Sequence, residues 1–213
     1  MKLTKFEHAC FTIEKDETIL VVDPGAFSHD FIIPKHVDGI IITHEHPDHL
    51  DAVLVQKILD ANPKAVIIGH ESITSRYANS PTLAVKPGEH YTIGFFDLQF
   101  FGGVHAPIAE DVATPPNLGV LIDNSLYYPG DSLTIPEAEG VHVKTLALPI
   151  SAPWLTFAQT RAFLAAIHPA LTFPTHDGIL SEDGKNLAES MVGGFAQKNG
   201  ITYMRLDGES VQL

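Results

Sequence analysis

The chain has 213 residues, 45% of them apolar and 18% charged, which excludes a disordered protein and allows one sizeable core without disulfides. Thirteen Lys and Arg against twenty-six Asp and Glu leave a formal charge of −13, a balance that repels nucleic-acid backbones and anionic membrane surfaces over most of the exterior. One domain over residues 1–213 is expected, because the prolines and glycines are spread along the chain and form no linker.

In chain order, Cys10–Glu14 and Thr18–Val22 alternate or run apolar, and Gly39–Thr43 (GIIIT) has the pattern of a buried strand. Leu50, Val53, Leu54, Lys57, Ile58 and Leu59 follow at helical spacing, and Asn62-Pro63 closes that helix before a strand at Ala65–Ile68. From Leu83 to Tyr128 strands return, among them Phe95–Phe101, Leu118–Ile122 and Leu126–Tyr128, with Asp123-Asn124-Ser125 as a hairpin turn. Thr145–Leu148 reads as a strand, Thr156–Ile167 as a helix stopped by His168-Pro169, and Leu171–Phe173 as a strand. A helix over Asn186–Lys198 ends at Asn199-Gly200, and Ile201–Leu206 and Ser210–Leu213 finish as strands. Strands, helix, strands, helices in that order suit an α/β fold, a four-layer αββα sandwich of two sheets with helices outside.

Cys10 is the only cysteine, which removes an internal disulfide, a thiolate zinc site and a CxxC redox pair. The first residues lack an apolar run of signal-peptide length and no stretch approaches about 18 apolar residues, so a soluble cytoplasmic protein without a membrane partner is expected. The excess in composition is histidine, with twelve residues. Directly after GIIIT comes His44-Glu45-His46-Pro47-Asp48-His49, three imidazoles and an Asp at a strand end. In an extended turn, side chains two apart point to the same side, so His44 and His46 can grip one ion while Asp48 and His49 turn to a second. Each metal needs further ligands, and His105, Asp131 and His176 each stand just beyond another predicted strand.

The string Thr43 to His49, the upstream Asp23 in VVDPG, His105, the PGDS around Asp131 and finally His176 resemble the metallo-β-lactamase superfamily in order and approximate spacing. Within it, Phe6 to Phe11 and the tract from Leu148 through His176 look like small metal-dependent hydrolases related to ascorbate-6-phosphate lactonase. Glu7 stands where that branch has glycine, and Asp177-Gly178 where it has an aromatic. The resemblance implies His44, His46 and His105 on one metal, Asp48, His49 and His176 on another, and Asp131 between them. Asp23 would accept a hydrogen bond from the far nitrogen of a ligating imidazole, and His8 would support the site in the same way.

Two divalent ions, zinc or manganese, would then activate water for attack on a small ester, lactone or phosphoester, with Asp48 also orienting the nucleophile. Sister chemistries of the superfamily fit less well. A di-iron oxidoreductase places Glu where His46 stands, a nucleic-acid-cleaving member carries a basic arm, and β-lactam hydrolases lack an acid at Asp131 and are exported. A mono-iron dioxygenase acting on a persulfide keeps much of the histidine string and is the alternative, as is a non-catalytic metal-binding protein. The expected partner is a small-molecule substrate, with pocket walls from Phe27-Ser28-His29, Ala106-Pro107-Ile108 and Ser151 to Trp154, and no nucleic acid. A homo-oligomer stays open, since an exposed sheet or helix face can pair protomers about a twofold axis.

Overall fold

In a computed structural model, which describes residues 1–206 and 208–213, fourteen strands form two mixed sheets of seven. The first contains β1 (Lys2–Lys5), β2 (Phe11–Lys15), β3 (Thr18–Val22), β4 (Val37–Ile42), β5 (Val66–Gly69), β6 (Thr82–Ala84) and, from the far end of the chain, β14 (Ser210–Gln212). Its order is β14-β1-β2-β3-β4-β5-β6, antiparallel as far as β3 and parallel beyond it. The second contains β7 (His90–Ile93), β8 (Phe96–Gly102), β9 (Leu118–Ile122), β10 (Leu126–Tyr128), β11 (Thr145–Pro149), β12 (Leu171–Thr175) and β13 (Thr202–Tyr203). They lie in sequence order, antiparallel from β7 to β10 and parallel from β10 to β13.

Period-2 alternation divides the apolar residues among three packing zones. Leu20, Val22 and Ile41 of the first sheet meet Leu98, Val120, Tyr128 and Phe173 of the second between the sheets. Val21, Ile40, Ile42 and Ile67 point the other way, against Val55, Ile58 and Leu59 of α1 (Ala52–Ala61) and Ile73 of α2 (Glu71–Thr74). Leu121, Tyr127, Leu146 and Leu148 likewise meet Phe163 and Leu164 of α3 (Phe157–Ile167), with Val192 and Ala196 from the C-terminal helical stretch. That stretch is α4 (Glu182–Ala188), a π-helical turn (Glu189–Gly193) and α5 (Gly194–Lys198). The result is the four-layer αββα sandwich. Among the described residues no helix is long and apolar enough to cross a membrane.

Several boundaries differ from the sequence reading, each for a local reason. Asp51 caps α1 by accepting from the amides of Val53 and Leu54, so Leu50 lies outside the helix, Val53 is exposed and Val55 is the buried residue of its first turn. Ser181 starts α4 by accepting from Gly184 N, five residues before the expected Asn186, in a segment too polar to show helical spacing. The expected strand over Ile201–Leu206 is only Thr202–Tyr203, after which the chain crosses to the first sheet. β1, unread from KLTK, pairs with both β2 and β14.

Candidate metal centre

β4 delivers the HEHPDH string at its C-terminal end, and its neighbour β3 delivers Asp23 alongside. The loop is seated by close backbone packing: Ala26 N donates to Pro47 O and Asp51 N to Pro24 O. A Cβ on Gly25 would lie 1.8 Å from the Asp48 carbonyl oxygen, so only glycine allows that approach. From the second sheet, His105 follows β8, Asp131 follows β10 and His176 follows β12. All seven candidate ligands therefore gather at strand ends and, with His8 as an eighth residue, fall into two sets: His44, His46, His105 and Asp131, and His8, Asp48, His49 and His176, with the potential ligand atoms of each set within 4.8 Å of one another.

Asp131 lies between the sets. Its Oδ2 is 3.2 Å from His105 Nε2 and 4.0 Å from His44 Nε2, while its Oδ1 is 2.7 Å from His176 Nε2 and 3.1 Å from His49 Nε2. Although these last two separations are short, Asp131 Oδ1, His49 Nε2 and His176 Nε2 have no hydrogen-bond partner of suitable direction, and all three are buried. Buried polar atoms left in this way are costly, and three of them aimed at one region fit a cation. The donor set of imidazole nitrogens and carboxylate oxygens suits a borderline divalent ion.

Partners behind the rings fix which nitrogen is offered. Asp23 is fully buried; Oδ1 accepts from Thr43 N at 2.8 Å, and Oδ2 accepts from Thr43 Oγ1 and His49 Nδ1, both at 2.7 Å, and from Tyr128 OH at 2.9 Å. His49 thus donates through Nδ1 and presents Nε2. Thr43 Oγ1 gives its proton to Asp23, so at 3.1 Å it accepts from His44 Nδ1, which leaves His44 Nε2 free. His105 Nδ1 donates to the carbonyl of Ala106, and Asn117 Oδ1 accepts from Asp131 N at 2.9 Å. Tyr128 and Asn117 escaped the sequence reading because each looks like an ordinary strand or loop residue until the two sheets are brought together.

His8 meets a candidate ligand as expected of a supporting residue, though a carboxylate rather than an imidazole: its Nε2 sits 3.0 Å from Asp48 Oδ2, and it falls within the second donor set. His8, Asp23 and His176 all have positive φ (58°, 44° and 64°), a left-handed conformation that His and Asp adopt more readily than most non-glycine residues. The turn carrying His8 is held by Phe6 N to Cys10 O and by His176 N to His8 O, and Gly178 packs on the His8 Cβ.

Burial, together with the charges of His49 and Asp131 acting in opposite directions, leaves the His44 pKa well below the ordinary histidine value. His46 is lowered by burial as well. Burial works against charge on His49, yet Asp131 and Asp23 raise it well above the ordinary value. Asp131 is likewise opposed by burial but held well below the carboxylate range by His176 and His49. Asp48, also opposed by burial, is held low by its hydrogen bond with His8 and by the charge of His49.

The centre opens into a cleft of about 440 Å³. Phe27, Ile108, the segment Ser151 to Trp154 and Ile179 form its walls, and Trp154 Nε1 donates to Asp131 Oδ2 at 2.9 Å. His29, expected as a wall, is exposed and outside the cleft, with its backbone amide donating to Glu7 Oε2. The turn at Ser28 sends the Phe27 side chain inward and carries His29 past the opening.

A family model described as a β-lactamase superfamily domain matches residues 2–176. Protein Rv0786c of Mycobacterium tuberculosis is 33% identical over 192 residues, covering 88% of this chain and 89% of that one. A protein of Enterococcus faecalis named UPF0173 metal-dependent hydrolase is 25% identical over 228 residues, covering 96% of this chain and 100% of that one. Igni18, a metallo hydrolase of the hyperthermophilic archaeon Ignicoccus hospitalis, shares the fold, with a TM-score of 0.75 at 19% identity over 99% of this chain and 97% of that one.

Proposed function

The chain belongs to the metallo-β-lactamase superfamily and is a metal-dependent hydrolase, and on that footing we propose that it holds two divalent ions, zinc or manganese, and hydrolyses a small ester, lactone or phosphoester. His44, His46 and His105 would hold one ion, Asp48, His49 and His176 the other, and Asp131 both. The observation that carries this reading is the Asp131 carboxylate, whose two oxygens face different histidine sets, His105 and His44 on one side and His176 and His49 on the other. When bound, such ions lower the pKa of water toward neutrality and act as Lewis acids toward a carbonyl or phosphoryl oxygen.

The protein's own groups supply orientation. Asp23 keeps His49 in one tautomer, Thr43 does the same for His44, and the Ala106 carbonyl for His105. Asp48, ionised and steadied by His8, accepts a hydrogen bond from the attacking water and aims it at the substrate.

Elemental analysis of protein purified without added metal or chelator, joined to hydrolysis assays, tests the reading. About two zinc or manganese ions per chain are expected, with His46→Ala and Asp131→Ala losing most of the metal and the activity. A single iron would redirect the reading to oxygen-dependent sulfur chemistry, and turnover with full metal occupancy in Asp131→Ala would overturn the assignment.

A further inference from the structure

The cleft joins the candidate metal centre to walls that are apolar and without positive charge. Phe27, Ile108, Pro153, Trp154 and Ile179 supply most of the wall, and among the described residues no lysine or arginine lines it. Phe27 and Ile179 are large apolar side chains left 37% and 51% exposed, together at its mouth. Two cations beside the site are already engaged: Lys5 is buried against Asp177, the residue after His176, and Arg76 pairs with Glu45, which stands between His44 and His46. Asp23, Asp48 and Asp131 offset most of the charge that two divalent ions would bring, and the protein's net charge of −13 repels anions at longer range. A phosphate or carboxylate group beyond the scissile bond would find no lysine or arginine to pair with here, whereas an alkyl or aryl arm would leave water against five apolar surfaces.

We propose that this cleft selects an uncharged carboxylic ester or lactone bearing an apolar arm, with the arm lodged between Phe27, Ile108, Trp154 and Ile179. This rests on the hydrolase reading and narrows its substrate class by setting aside the phosphoesters. In the reaction, water oxygen bonds to the acyl carbon, the acyl C–O bond breaks, one water proton goes to the departing alkoxide and the other is released with the carboxylate product. Trp154 fixes one wall through its bond to Asp131, so the arm packs beside the reacting centre at a defined distance along the cleft.

The test compares p-nitrophenyl acetate, butyrate and hexanoate with bis(p-nitrophenyl) phosphate on the metal-loaded protein. Burying each methylene is worth roughly 0.8 kcal/mol, so kcat/KM is expected to rise about three- to fourfold per added methylene. In Phe27→Ser/Ile179→Ser the hexanoate-to-acetate ratio should fall at least about tenfold. A flat series, or a phosphodiester cleaved faster than hexanoate, overturns the proposal while leaving the hydrolase reading in place. Trp154, the only tryptophan, gives a second measurement that needs no turnover. Hexanamide should change its emission at lower concentration than acetamide or adipamate, the same amide with a carboxylate at its far end, and equal or reversed affinities overturn the proposal. Failure of every ester and the phosphodiester with metal bound would sink the hydrolase reading, and the fluorescence titration would still decide which chemistry the cleft accepts.

Discussion

Gly25 is the residue on which the HEHPDH loop depends without contributing a ligand. A methyl there would meet the Asp48 carbonyl oxygen at 1.8 Å and His49 N at 2.5 Å, so Gly25→Ala must push the loop off β3. The expected outcome is about 1–3 kcal/mol of destabilisation and metal content below half that of the parent protein; full occupancy in elemental analysis would contradict the packing argument. The histidine string was legible in sequence because it interrupts an apolar strand with residues that such a position rarely carries together. Gly25 was not, since a glycine after Asp-Pro reads as a plain turn. His29 shows the same limit, because its amide is held by Glu7, a contact from a distant loop that the local sequence does not announce.

Among the elements, the central strands were the most readable: β9 and β10 fall on the expected residues because both faces of each are covered and the sequence runs apolar. The helix over Thr156–Ile167 was readable from its ends, where Thr156 forms a capping box with Gln159 and His168 closes the last turn in a left-handed conformation. β1 was not, because KLTK shows only one apolar residue. It nevertheless carries Lys5, 1% exposed, whose Nζ donates to both oxygens of Asp177 at 2.8 and 3.0 Å. That pair ties the end of β1 to the residue after His176. Lys5→Met or Asp177→Asn alone is expected to cost about 3–5 kcal/mol in urea denaturation, because each leaves a buried polar group unpaired. Replacing both, as Lys5→Met with Asp177→Leu, should cost less than either; single variants within 1 kcal/mol of the parent would show that the pair is not holding these elements together.

For the whole molecule, layer order was legible from strand and helix succession, whereas sheet order was not, since pairing depends on contacts distant in sequence. The concentration of imidazoles also gives the metal-free protein a pH dependence. Burial lowers His8, His44 and His46, so below about pH 6.5 the unfolded chain binds more protons than the folded one at these positions. His49 acts oppositely: despite burial its pKa is raised by Asp131 and Asp23, so its stabilising contribution is complete below about 6.5 and is lost as pH climbs through the folded value. Three groups against one predict that chelator-treated protein is less stable to urea at pH 5.5 than at pH 7; the reverse order would contradict the balance. The depressed Asp48 and Asp131 add to acid sensitivity only further down, as pH falls through their folded values. The pairing of β14 with β1 has a consequence in time. Leu3 sits opposite Val211, so this edge of the first sheet forms only after the whole second sheet has been traversed. During synthesis on the ribosome, β1 therefore waits with one edge bare, and closure of that ladder, a contact of very high sequence separation, belongs among the slow late steps of folding.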